Sequence, residues 1–246
     1  MKKILRAFLY LAAAICLASA ASAQTAQEYF MLGNNAYKAG DYQRAAENYE
    51  SALKNGFVSA ELYYNLANSF AKLDKKGHAL LNYKRAVYHA PRMREASANL
   101  EMFAKDNSLD SGLSKFKTSL MAELSDSEWA TVGFVSFWGA VILLFIPPLF
   151  GKRTMSTIFL AIVCVSFFVV ALLSVNDWLS YGRTAVAVKS DIPLTVSPTK
   201  TAPVLSIVDE GQSAAIKKKR GEFIYVETQN GKKGWTSKSD FVPVVE

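Results

Sequence analysis

The sequence predicts a multidomain membrane protein: α-helical hairpins on the N-terminal side, a two-helix transmembrane hairpin in the middle and a small all-β barrel on the C-terminal side. Three observations predict it. Trp129 to Gly151 and Thr154 to Asn176 contain no charged residue. Small, apolar and aromatic residues recur at a period of 34 between Tyr29 and Ala86. After Arg183, helical spacing gives way to short β-branched and aromatic runs punctuated by Pro and Gly.

The uncharged runs come first because they set the frame. Each is long enough to cross a hydrocarbon core, which takes about 20 helical residues, and in lipid every backbone group must be satisfied within the segment, so both are read as helices (129–150 and 154–176). A buried core helix is the competing reading. Two such runs back to back, joined by Gly151-Lys152-Arg153, argue against it. Basic residues stay on the cytoplasmic side, so the turn is expected inside and both flanks outside. Trp129, Trp178 and Tyr181 fall where amphipathic rings favour the headgroup region. Ser125-Asp126-Ser127-Glu128 reads as a capping box, and Pro147-Pro148 as the end or bend of the first helix.

The N-terminus agrees with this orientation. Lys2, Lys3 and Arg6 precede the apolar stretch Phe8–Leu17, and Ala21-Ser22-Ala23 is an A-x-A cleavage pattern, so 1–23 reads as a signal peptide. Ile15 before Cys16 is too large for lipoprotein processing. Part of the formal net charge of +7 belongs to this leader, and residues 24–128 carry equal numbers of acidic and basic residues. A nucleic-acid partner is therefore not expected. Of the two cysteines, Cys16 leaves with the leader and Cys164 lies in the second apolar run, so no disulfide framework is expected.

In the repeat, Leu32-Gly33 aligns with Leu66-Ala67, Tyr29 with Tyr63, Asn34 with Asn68, Lys38 with Lys72, Ala45 with Ala79, Tyr49 with Tyr83 and Ala52 with Ala86; Pro91 closes the second unit. This pattern resembles the tetratricopeptide repeat (TPR), with Phe57 in place of the first closing Pro and Ala67 in place of Gly. The resemblance implies α-helical TPR hairpins over 24–105, closed by a capping helix at Arg92–Lys105 on whose apolar face lie Ala96, Leu100 and Phe103. It also implies a protein-binding groove along the first helices, presenting Phe30, Asn34, Tyr37, Lys38, Tyr64, Asn65, Asn68 and Lys72. Asn34 and Asn65 match the family's carboxylate clamp, but Phe30 and Glu95 stand where its cations belong, which disfavours a C-terminal carboxylate ligand. Residues 106–128 read as an amphipathic linker, with Leu109, Leu113, Phe116, Leu120 and Leu124 at helical spacing. It would lie on the membrane or dock on the TPR unit.

In the C-terminal module (183–246), Thr184–Val188 and Phe223–Thr228 read as strands, Gly234-Trp235-Thr236 begins another, and Asn230-Gly231 is a hairpin turn. Leu194–Pro198, Ala202–Leu205, Glu210-Gly211, Gly221–Val226 and Gly231–Trp235 resemble a bacterial SH3-like (SH3b) domain, with Phe223 where the family has Trp. Tyr225 and Trp235 are its candidate surface, against core packing as the simpler role. Lys217–Arg220 reads as a solvated turn, with an anionic glycan or lipid headgroup as the alternative.

His78 and His89 both fall in the second helix of the second repeat; no phosphate loop, nucleophile elbow or metal-ligand cluster accompanies them. No enzymatic activity, metal or cofactor is expected. The whole arrangement resembles the BatE-type TPR proteins of the bacterial aerotolerance (Bat) system. That resemblance implies a bacterial inner-membrane scaffold with two spans, both soluble modules periplasmic, and partners among von Willebrand factor A membrane proteins and a MoxR-type ATPase system. A cell-wall sensor binding peptidoglycan through the SH3-like domain is the alternative, and an enzyme accessory subunit docked by its hairpin is a third.

Overall fold

The computed structural model describes residues 25–112, 124–149 and 154–245. The expected leader, most of the 106–128 linker and the connection carrying Lys152 and Arg153 lie outside the described residues. The N-terminal unit is a run of antiparallel helices: α1 (25–38), α2 (Tyr42–Lys54), α3 (Ala60–Lys72), α4 (Lys76–His89) and α5 (Arg94–Asp106). Asp41 caps α2 by accepting from the Arg44 N–H, and Ser59 caps α3 by accepting from Leu62.

The repeat runs further than its sequence signature. Helix α3 begins at Ala60 and α5 at Arg94, 34 residues on. The turns after α1, α3 and α5 hold a residue at positive φ at the same interval: Gly40 (79°), Asp74 (55°) and Ser108 (56°). Helix α5, expected to be a cap, thus repeats the start and the turn of α3 one period later. Leu66 and Leu100, in the same column, are both fully buried.

Helices α6 (Asp126–Leu149) and α7 (Met155–Gly182) pack against each other along their length. Both are long and apolar enough to cross a membrane. Only 11% and 17% of their most apolar stretches are buried by the rest of the chain, which separates them from soluble core helices. The capping box at the start of α6 forms reciprocally: the Ser125 N–H donates to Glu128 Oε2 (2.8 Å) and the Glu128 N–H to Ser125 Oγ (3.3 Å). Pro147 and Pro148 sit in its last turn. The small residues face inward: a Cβ on Gly133 would lie 3.3 Å from Ala171 Cβ, and one on Gly139 3.3 Å from Cys164 Sγ.

Helix α7 does not stop at Asn176. It continues to Gly182, and Trp178, expected at the lipid interface, is 1% exposed. Its indole N–H donates to the Leu124 carbonyl, and its ring meets Tyr88 edge-on at 5.1 Å. Trp129 and Tyr181 are buried too. These rings serve an internal joint, because the helical unit covers them before lipid can.

The C-terminal module is a seven-stranded antiparallel sheet in the order β3-β2-β6-β5-β4-β1-β7. Its strands are β1 (Thr184–Ala187), β2 (Ile192–Thr195), β3 (Val204–Val208), β4 (Ser213–Arg220), β5 (Phe223–Thr228), β6 (Lys233–Ser237) and β7 (Phe241–Pro243). The ladder has two edges, β3 and β7, and is not closed by hydrogen bonds among the described residues. Asn230-Gly231 turns β5 into β6, with Gly231 at φ 78°. Lys217–Arg220, read from sequence as a turn, is the outer half of β4; the turn follows at Gly221 (φ 58°).

The helical and sheet modules share a boundary. Glu210 Oε1 accepts from the Gly77 N–H at 2.8 Å, and Arg85 donates to the carbonyls of Val244 (3.0 Å) and Pro243 (3.1 Å). One apolar core runs from Leu62 and Leu80 through Trp178 to Val186 and Val244. A second, with Ile192, Leu194, Ile224, Val226 and Phe241, fills the sheet.

Candidate functional site

The first-helix face of the helical unit is built on a network of tyrosines and asparagines. The Tyr49 hydroxyl donates to Asn34 Oδ1 at 2.7 Å, and one repeat later the Tyr83 hydroxyl donates to Asn68 Oδ1 at 2.6 Å. Asn65 Nδ2 also donates to Asn34 Oδ1 (3.1 Å), and Asn99 Nδ2 to the Tyr64 hydroxyl (2.7 Å). Burial raises the hydroxyl pKa of Tyr49 and Tyr83, so both stay neutral donors. Tyr37 is raised for the same reason, with Tyr42 and Tyr64 adding to it.

The eight sequence-predicted groove residues therefore divide. Lys38 and Lys72 are exposed, and Tyr37 and Tyr64 are half-buried and accessible. Asn34, Asn65 and Asn68 are half-buried and spend one amide atom each inside the network, which leaves the other for a ligand. Phe30 is 7% exposed and packs on Tyr49 (5.9 Å) and Phe57 (5.0 Å). It belongs to the core, packed between the Tyr49 and Phe57 rings. Asn99, on α5, is a residue that the two-unit alignment missed; its signal was the 34-residue offset from Asn65.

On the sheet, Ile224, Val226 and Thr228 point inward while Phe223, Tyr225 and Glu227 alternate to the other face. Tyr225 and Trp235 are a cross-strand pair with rings 5.4 Å apart, edge to face, and both are half-buried on that outer face. Lys233 at 2.7 Å and Lys217 at 3.5 Å flank Glu227, and the Lys233 contact holds its carboxyl below the usual range. No family model and no curated protein matches this chain.

The histidines are packing residues. His78 lies on the Phe70 ring at 4.9 Å, and burial lowers its pKa. His89 stacks on Tyr63 at 5.2 Å. Sequence reasoning also missed Lys84, which is 1% exposed in the middle of α4. Its ammonium donates to Ser213 Oγ of β4 at 2.7 Å. Burial lowers its pKa from the ordinary 10.5 to about 8, against a smaller opposing pull from Asp110.

Proposed function

We propose that this chain is a non-enzymatic membrane scaffold of the BatE type, its helices a TPR array and its sheet an SH3-like domain. The observation that carries this reading is an asymmetry in the helical unit. Helix α4 is buried against the sheet and α7, while Tyr37, Tyr64, Lys38 and Lys72 on the first helices remain accessible. The unit is held by one side and offers the other. The Asn/Tyr lining is neutral and rich in paired donors and acceptors, which suits an extended peptide segment whose backbone amides need partners. Lys152-Arg153 in the short turn favours an inner-membrane hairpin with both modules in the periplasm. Von Willebrand factor A membrane proteins and a MoxR-type ATPase system are the partners this resemblance suggests.

Affinity purification in mild detergent tests the reading. An aromatic interface anchor loses about 2 kcal/mol or more on truncation, so Tyr64→Ala is expected to reduce partner recovery sharply in a protein that still folds. Unchanged recovery with a folded variant moves the interface off this face. Tyr225 and Trp235, paired on the outer face of the sheet, favour a second reading in which the sheet binds peptidoglycan. Retention on purified sacculi that is lost in Trp235→Ala selects it.

A further inference from the structure

Helix α4 runs beside β1 in the opposite sense. Arg92, just past its C-terminal end, meets Glu128 at the start of α6 (3.2 Å), and the Tyr88 ring packs on Trp178 and Gly182 of α7. At its N-terminal end, Gly77 lies against the Ala187 carbonyl. Strand β1 therefore leads away from the hairpin as it goes from Thr184 to Ala187. Strand β4 pairs with it antiparallel, Ser213 opposite Val186 and Ala215 opposite Thr184, so β4 heads back toward the hairpin. Its residues from Ile216 to Arg220 run past Thr184 by about 15 Å at the rise of a strand. From Asn176, where the apolar run ends, to Gly182, helix α7 rises only about 9 Å. The headgroup layer adds roughly 5 Å or more beyond the hydrocarbon, so even an inclined strand brings the Gly221-Glu222 turn back to headgroup height.

The tip that returns is basic. Lys217, Lys218, Lys219 and Arg220 stand in succession and are all exposed, and the exposed Lys238 sits beside them, its N–H donating to the Glu222 carbonyl at 3.0 Å. Two acids lie near. Glu227 holds Lys217 (3.5 Å) and Lys233 (2.7 Å), and Glu222 is exposed in the turn itself. At the outer end of the hairpin Glu128 is engaged by Arg92, and Asp177 is exposed. Among the described residues no ion pair engages Lys218, Lys219 or Arg220. Neighbouring like charges repel, and an anionic surface relieves that cost. A bilayer that contains anionic lipid attracts Lys and Arg held within a Debye length of it. Its phosphates lie outside the hydrocarbon, on the side from which these cations approach.

We propose that the β4–β5 tip seats on the lipid surface from which α7 emerges, with Lys218, Lys219 and Arg220 on the phosphates of anionic phospholipids. The sheet is then held to the bilayer covalently through α7 and electrostatically through the tip. This rests on the membrane reading above; the direction of β4 and the charge of its tip do not.

The full-length protein is reconstituted into nanodiscs and vesicles of equal parts phosphatidylcholine and phosphatidylglycerol, and the lipids it retains are read by native mass spectrometry. Phosphatidylglycerol is expected to be retained in preference. A basic residue at an anionic surface is worth about fivefold in affinity, so Lys218→Gln/Lys219→Gln/Arg220→Gln is expected to cut that preference by about fivefold or more, as is added salt. In a Cys164→Ser background, a bimane on Glu222→Cys is expected to be quenched by headgroup spin-labelled phosphatidylcholine. One on Lys72→Cys, beside the far end of α4, is expected to be spared. An unchanged preference in the triple variant, or quenching at Glu222→Cys no greater than at Lys72→Cys, overturns the proposal. Retention on purified sacculi that the triple variant loses while keeping its lipid preference assigns the cations to an anionic glycan and also overturns it. Should the triple variant not fold, Lys218→Gln and Arg220→Gln singly carry the same comparison, both at exposed positions. A failed membrane reading shows as release of the wild-type protein from vesicles by alkaline carbonate; failure of the tip alone leaves it resistant.

Discussion

At the scale of the residue, the first consequence lies in the repeated hydroxyl–amide bonds. Tyr83→Phe removes the donor to Asn68 and keeps the ring, so it is expected to cost about 1 kcal/mol in a denaturant melt. Asn34→Ala strands two partners, Tyr49 and Asn65, and is expected to cost more, about 1–3 kcal/mol. Equal costs would mean that Asn34 does not bridge α2 and α3. Lys84 gives a pH signature. Its folded pKa of about 8 lies below the ordinary 10.5, so between these values the unfolded chain binds more protons and stability rises with pH. The full shift corresponds to about 3 kcal/mol. Above pH 10 the slope reverses, because Tyr49 and Tyr83 keep their protons in the fold when the unfolded chain has lost them. Melts from pH 7 to 11 are expected to show a maximum near pH 10, and Lys84→Met to abolish the rising limb. The asparagine columns were legible in the sequence because partner and spacing repeat. Lys84 was not, since the residues that bury it come from β4 and the end of α7, about a hundred positions away.

At the scale of the element, most helices and strands follow from local pattern, and the misreadings have physical causes. Helix α5 lacks the aromatic at its Tyr29/Tyr63 column, where Ser97 stands, so its place in the repeat rests on the weaker Asn65/Asn99 and Leu66/Leu100 offsets and on the positive-φ turn at Ser108. Strand β4 hides behind Lys217–Arg220 because a bulge between Ile216 and Lys218 breaks the alternation and both faces of that end are exposed. The pair of long apolar helices was legible from the absence of charge, but which contact its glycines make was not. Gly133 and Gly139 bring α6 onto α7, which leaves those positions no surface for a partner's helix. A cysteine at Gly139 would point its Cβ at Cys164 Sγ, close to disulfide geometry. Under mild oxidation Gly139→Cys is expected to lose both thiols to maleimide labelling without forming dimers. Two persistently reactive thiols would contradict the packing of α6 on α7.

At the scale of the molecule, the chain returns through the hairpin to close a contact between parts far apart in sequence. Arg85 and Gly77 of α4 dock on β7 and on Glu210, and a side chain at Gly77 would collide with the Ala187 carbonyl. The sequence shows two modules of separate character, each with its own periodicity. It does not show that they share a core, because contacts across the hairpin leave no local pattern. The contact has a topological consequence: helical unit and sheet must lie on the same side of any membrane that α6 and α7 cross. Membrane-impermeant maleimide labelling of intact spheroplasts tests this most directly, using single cysteines at the exposed Lys72 and Lys238 and at Lys152 in a Cys164→Ser background. Labelling is expected at Lys72→Cys and Lys238→Cys and none at Lys152→Cys until the membrane is permeabilised; protection of either module, or labelling of the turn from outside, would contradict a same-side arrangement.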